Sequence, residues 1–307
     1  MIRKWLKYLI FSGLIILMGC EEEITIKLPE GADQLVVEGF IEPNMPPIVI
    51  LTRTMPYFSK TDVSTLSGIY VSGADIKVSD GTKTVNLFEL NFKNLPDSIA
   101  GILSAFLQLS VEDLKKLDFV IYTTISMFGE TGETYSLSIV KDTFRLEAKT
   151  TIPKPVVPDS LWVEHHPDPK NDSLKLIKMT ITDRPGEKNY YRYFTSVNNG
   201  AYYPNRFRSV FDDKLVDGQS LIVPVVRGEP RVADFNPLTY GVYKVGDTVS
   251  VKLCTIDFDH YTFWSTFENS VSSGGPYAVP VQIKSNIKGG LGIWGGYGAV
   301  YRQIIVK

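Results

Sequence analysis

A period of two runs through most of this chain. In TYSLSIV, Tyr135, Leu137 and Ile139 share one face, and in FRLEAKT, Phe144, Leu146 and Ala148 do the same. Successive side chains of an extended segment point to opposite sides, so this alternation predicts strands with one buried face. LVVEGFI, IVILT, KLIKMTIT, YYRYFTSV, SLIVPVV and VSVKLCTI add further strands of similar length. ADIKVSDGTKTVNL reads as a hairpin, with Ile76 and Val78 before an Asp80-Gly81 turn and Val85 and Leu87 after it. Many short strands, frequent turn signals and few helices predict an all-β chain built of β-sandwiches.

The clearest interruption is TTIPKPVVPDSL, where Pro153, Pro155 and Pro158 cannot donate to a ladder and favour an extended connector. It predicts an N-terminal sandwich over 34–152, a linker over 153–158 and a C-terminal sandwich over 159–307. Two stretches change period. Over 97–117, Ile99, Leu103, Phe106 and Leu107 form a helical stripe, and Ser110 with Asp113 resembles a capping box before Leu114 and Leu117. This predicts a helical insertion in the first sandwich, serving as a lid on its end or as a docking surface for a partner. Over 259–271, Phe263, Trp264, Phe267 and Val271 fall at helical spacings behind Asp259, which predicts one short helix in the second sandwich, capped by Asp259.

The first residues concern location. Arg3, Lys4 and Lys7 precede an apolar run, Tyr8 to Met18, too short to span a bilayer, which takes about 20 residues. Gly19 then precedes Cys20. This order resembles a bacterial lipoprotein signal, in which residues 1–19 are removed and Cys20 carries the lipid, palmitate included. The alternative, an ordinary secretory signal, leaves the cysteine without a role. Glu21, Glu22 and Glu23 cannot be buried unpaired, so 20–33 reads as a solvated acidic tether. An acidic cluster at this place resembles the surface-export signal of Bacteroidota lipoproteins; a plain hydrophilic spacer is the other reading.

Removing residues 1–19 takes away three cations and moves the formal charge from −2 to −5. An acidic chain lacks the basic face that nucleic acid requires. Cys254 is the only cysteine besides Cys20, and its place in an alternating strand predicts a buried, inert thiol. The chemistry expected of an enzyme is hard to find. His165 and His166 are neighbours in an extended stretch and point apart, and neither a His-Glu-x-x-His nor a Gly-x-Ser-x-Gly string occurs. Asp257, Asp259 and His260 form a conceivable metal cluster that helix capping explains better. PDPKNDS and DDKLVDGQS carry many oxygen ligands but read as turns. A pair of carboxylates meeting in space stays open. The expectation is no metal, no cofactor and no catalysis.

Aromatic residues are in surplus. NYYRYFTSVNNGAYYP holds Tyr190, Tyr191, Tyr193, Phe194, Tyr202 and Tyr203, which cannot all face one core. Tyr190, Tyr191, Tyr193, Tyr202 and Tyr203 are therefore the candidate binding residues, able to stack on a glycan or grip a protein, against the alternative of plain hairpin packing. In NIKGGLGIWGGYG the glycines lack the strand-then-helix setting of a nucleotide loop. They predict close backbone approach and a turn at the end of the second sandwich.

GCEEEITIKLP, LVVEGFI, PPIVILTRTMPYFS, GADIKVSDG, GETYSLSI, AKTTIPKPVVPDSL, NYYRYF and NIKGGLGIWGGYG, in that order, resemble the Bacteroidota outer-membrane lipoprotein family known as domain of unknown function 4249. GETYSLSI also looks like the immunoglobulin or fibronectin-like strand that carries a corner tyrosine, here Tyr135. The resemblance implies a lipoprotein of the outer membrane whose genes often accompany TonB-dependent receptors. It supplies no catalytic residue. The expected function is a non-enzymatic accessory of a TonB-dependent transporter; the alternative is an adhesin or glycan-binding module.

Overall fold

The alternating segments form strands, and the computed structural model describes residues 33–55, 68–95, 120–214, 218–230, 235–272 and 281–307. The insertion expected over 97–117 lies outside the described residues, as do Cys20, Glu21, Glu22 and Glu23. The fold is all-β and sandwich-like.

The strands of the described residues form four sheets. The first contains β1 (Leu35–Ile41), β2 (Ile48–Arg53), β5 (Phe88–Asn91), β6 (Val120–Thr123) and β17 (Leu291–Gly296), in the order β17-β1-β2-β6-β5. The second runs β4-β3-β7-β8, with β3 (Asp75–Ser79), β4 (Thr84–Asn86), β7 (Thr134–Lys141) and β8 (Phe144–Thr151). Their inward residues meet in one core that includes Leu35, Val37, Leu51, Ile76, Ile139, Leu146 and Trp294. The third sheet has β10 (Leu174–Thr182) flanked by β9 (Ser160–His165), β14 (Ser220–Val225) and β15 (Tyr243–Lys244). The fourth has β11 (Tyr190–Val197), β12 (Tyr203–Pro204), β13 (Val210–Asp212), β16 (Thr248–Ile256) and β18 (Gly298–Ile305). Met179, Tyr191, Tyr193, Tyr243, Val251 and Leu253 fill the core between the third and fourth.

Tyr135 behaves as a corner tyrosine. Its hydroxyl accepts from the Glu130 amide at 2.8 Å and donates to the Phe128 carbonyl at 3.4 Å, tying β7 to the loop just before it.

The glycine-rich segment is where sequence and structure part. Instead of a turn closing the second sandwich, Leu291–Gly296 is a strand of the first sheet, parallel to β1, with Gly39 opposite Trp294. The 159–307 boundary therefore does not hold for these residues, and residues 33–307 form one compact unit. Trp294 is fully buried and its indole N–H donates to the Tyr135 carbonyl at 3.0 Å. Its neighbour Ile293 points the other way, into a third apolar cluster with Cys254, Ile256, Phe263, Trp264 and Tyr297. That cluster lies under α1 (Phe258–Ser272), between the outer faces of the first and fourth sheets. Gly295 faces the same side, and any Cβ there would strike the His260 ring of α1. The glycines thus permit close approach, as the sequence predicted, but at a junction.

The helix starts earlier than expected. Asp257, not Asp259, caps it, its side chain accepting from the His260 amide at 2.8 Å and from Thr150 Oγ1 at 2.7 Å. Thr150 Oγ1 also accepts from the Gly296 amide, so one threonine of β8 ties the cap to β17. Val271, expected inward, is exposed.

Trp294→Ala should destabilise the protein by about 3–5 kcal/mol, and Gly295→Ala by about 1–3 kcal/mol through overpacking. Denaturant unfolding measures both. A Gly295→Ala protein as stable as its parent would contradict the packing of β17 under the helix.

Candidate functional site

The outer face of the fourth sheet carries the polar chemistry. Alternation sends Tyr191 and Tyr193 inward to the core and Arg192 and Phe194 outward. Strand register then sets Phe194, Lys252 and Tyr301 side by side, and Arg192 beside Cys254. The end of β1 brings Glu42 against this row.

Lys252 and Glu42 form a nearly buried ion pair, their side chains 13% and 6% exposed, joining residues 210 positions apart. Tyr301 donates to the second Glu42 oxygen at 3.3 Å. The ammonium lies 5.3, 5.4 and 5.8 Å from the rings of Phe194, Tyr297 and Tyr301. Burial works against the charged lysine, but Cys254, Glu42 and Tyr301 around it reverse the effect and raise its pKa. Arg192, also buried, lies 3.5 Å over Trp264 and 4.8 Å over Phe194. Its Nε donates to Ser209 Oγ at 3.0 Å and its Nη1 to the Tyr297 hydroxyl at 2.7 Å. Glu268 of α1 accepts from both the amide and the hydroxyl of Ser209.

Above these cations a cleft of about 480 Å³ opens between β1 and β11, lined in part by Glu38, Phe40, Tyr202, Tyr203, Glu229 and Tyr297. Of the five candidate tyrosines, Tyr202 and Tyr203 line this cleft and are exposed. Tyr191 and Tyr193 are core residues, because their parity on β11 faces them inward; they are not available for binding. Tyr190 lines a separate cleft with Phe258 and Tyr261.

A second exposed feature stands on the loops of the same half. Phe207, Phe235 and Tyr240 pack edge to face, with centroids 5.2–5.4 Å apart, and Arg206 lies 5.5 Å from Phe235. Phe207 and Phe235 are 45% and 44% exposed, and Leu238 nearby on the chain is 81% exposed.

The chain matches the family model described as domain of unknown function (DUF4249) over residues 21–303. It belongs to that family. No curated protein matches the chain. Within this DUF4249 chain, the groups an enzyme would need are placed as follows. Cys254 is buried and its thiol pKa is pushed up to about 12 by burial. His260 is buried against Tyr297 with ring centroids 4.5 Å apart, and burial followed by Arg192 lowers its pKa to about 3, so it stays neutral. Among the described residues no group of three or more His, Cys, Asp or Glu side chains could hold a metal.

One carboxylate pair does meet in space. Asp183 and Asp213, both buried, lie close enough to perturb each other, and the Asn189 side chain and amide bridge them. Burial pushes Asp213 up and the Asp183 charge adds to it. Burial also acts on Asp183, but the Gly218 amide, Asp213 and Asn189 outweigh it and hold that carboxyl low. The two carboxyls are thus pushed in opposite directions, Asp213 up and Asp183 down. The pair also accepts from the Asn189 amide, at 2.6 Å, which fastens the start of β11 to the end of β13. Its sequence spacing carried no signal, since the partners meet only through strand pairing.

The stability consequence has a definite sign. Asp213, with a raised pKa, contributes fully below the ordinary aspartate value and loses that contribution as pH rises through its folded pKa. Asp183 runs the other way, contributing above the ordinary value and losing it as pH falls through its lowered pKa. Lys188, Asp212 and Lys214 line the adjoining cleft and share the same field. Asp213→Asn keeps a donor toward Asp183 without the charge. It should raise the melting temperature at neutral pH, with the gain vanishing toward about pH 3. An equal effect at both pH values would contradict the raised pKa of Asp213.

Proposed function

We propose that this chain is a lipid-anchored outer-membrane protein, exposed at the cell surface, that acts as a non-enzymatic accessory or binding partner of a TonB-dependent transporter. The observation that carries the reading is the aromatic cluster of Phe207, Phe235 and Tyr240. Its rings are held edge to face and remain exposed beside Arg206 and Leu238. Rigid exposed aromatics next to arginine are what partner surfaces use, because large apolar area is buried at small entropic cost. The anchor rests on the order Arg3, Lys4, Lys7, apolar run, Gly19, Cys20, and surface export on Glu21, Glu22 and Glu23. No helix among the described residues is long and apolar enough to cross a membrane.

A second reading, an adhesin or glycan-binding module, is favoured by the exposure of Tyr202 and Tyr203 at the cleft. The two readings use different residues and separate cleanly.

A tagged chain should co-purify a TonB-dependent transporter from solubilised outer membranes. The Phe207→Ser, Phe235→Ser double variant should lose that partner while its melting temperature holds, and Cys20→Ala should release the protein from membranes. Retention of the transporter by the double variant, or its absence from the wild-type eluate, would remove the basis of the transporter reading.

A further inference from the structure

Two buried cations lie below the cleft, and they are compensated differently. Lys252 has a carboxylate of its own in Glu42. Arg192 has two neutral hydroxyls, those of Ser209 and Tyr297, and two ring faces, those of Trp264 and Phe194. Among the described residues no carboxylate pairs with this guanidinium, and its Nη2 has no acceptor. Glu268 accepts from the amide and hydroxyl of Ser209, the residue to which Arg192 Nε donates. A buried guanidinium is costly without a counter-charge, and its planar fork is shaped for a carboxylate. The arrangement leaves positive charge unspent on the floor of a cleft of about 480 Å³.

The walls narrow the choice of anion. Tyr202 and Tyr203 offer exposed rings at the mouth, suited to the apolar face of a pyranose. Glu38 and Glu229 line the same space and accept hydrogen bonds from hydroxyls. The same two carboxylates repel an anion, so an acidic ligand is oriented with its charge toward Arg192 and its hydroxyls toward the glutamates. The Tyr297 hydroxyl accepts from Arg192 and keeps its own proton for a guest oxygen. The volume suits one or two sugar rings.

We propose that the cleft between β1 and β11 binds an acidic sugar, its carboxylate held by Arg192 and Tyr297 and its ring face by Tyr202 and Tyr203. This deepens the glycan reading and rests on it, and it is independent of the transporter contact, since Phe207 and Phe235 do not line the cleft.

Calorimetric titration of the full chain with disaccharides of galacturonate, glucuronate and mannuronate, each beside its neutral hexose counterpart, tests it. At least one uronate pair should bind about tenfold or more tighter than its neutral counterpart, a preference that weakens with added salt. Arg192→Gln should abolish the preference. Tyr202→Ala, at an exposed position that leaves the fold intact, should weaken the uronate about tenfold. That variant keeps the test decisive even where loss of buried Arg192 lowers stability. Equal binding of acidic and neutral sugars would overturn the carboxylate assignment while leaving the glycan reading standing. No binding of any probe would overturn both, and neither result bears on transporter co-purification.

Discussion

Everything in this molecule depends on one strand that belongs to two cores. Leu291–Gly296 completes the first sheet beside β1, with Trp294 sealed in the first core and Ile293 in the cluster beneath the helix. Strand alternation makes this possible, because adjacent side chains leave the backbone on opposite faces. The price is steric: with the helix pressed on one side and the second sheet on the other, only glycine fits at Gly295. Residues that follow, from Gly298 on, pass directly into the fourth sheet as β18. The chain therefore crosses between the two sandwiches three times: through the proline segment, between β16 and β17, and through Tyr297.

Around that crossing the protein buries charge rather than only hydrocarbon. Lys252 and Glu42 lie in opposite sandwiches and are desolvated together, which is tolerable only with good geometry and further hydrogen bonds. Tyr301 supplies one of those bonds, and three aromatic rings surround the ammonium. A pair of this kind fixes the angle and register of the joint more than it adds stability, since a misaligned joint would strand two buried charges. A fixed joint in turn sets the width of the cleft above it.

Much of the fold was legible because a period-two pattern is local. Leu35–Ile41, Ile48–Arg53 and Tyr190–Val197 begin and end within a residue or so of the segments their alternation marks. Cys254 was legible for the same reason, being buried on a strand. The tyrosine assignment was half legible: parity shows that Tyr191 and Tyr193 share a face, but only the two cores show which face is inside. The glycine-rich strand was misplaced because its pairing partner lies some 250 positions earlier, and no local rule reaches that far. Arg192, the residue that gives the cleft its character, carried no signal in sequence. An arginine between tyrosines on a strand is ordinary, and it acquires a role only when a helix brings Trp264 over it. Asp183 and Asp213 show the same limit.

The central claim is that the two sandwiches are one cooperative unit, made so by the shared strand and the buried ion pair. Differential scanning calorimetry of the Cys20→Ala chain tests this most directly. The account predicts a single transition whose calorimetric and van't Hoff enthalpies agree. Two resolved transitions, each shifted independently by a core substitution in its own sandwich, would contradict it.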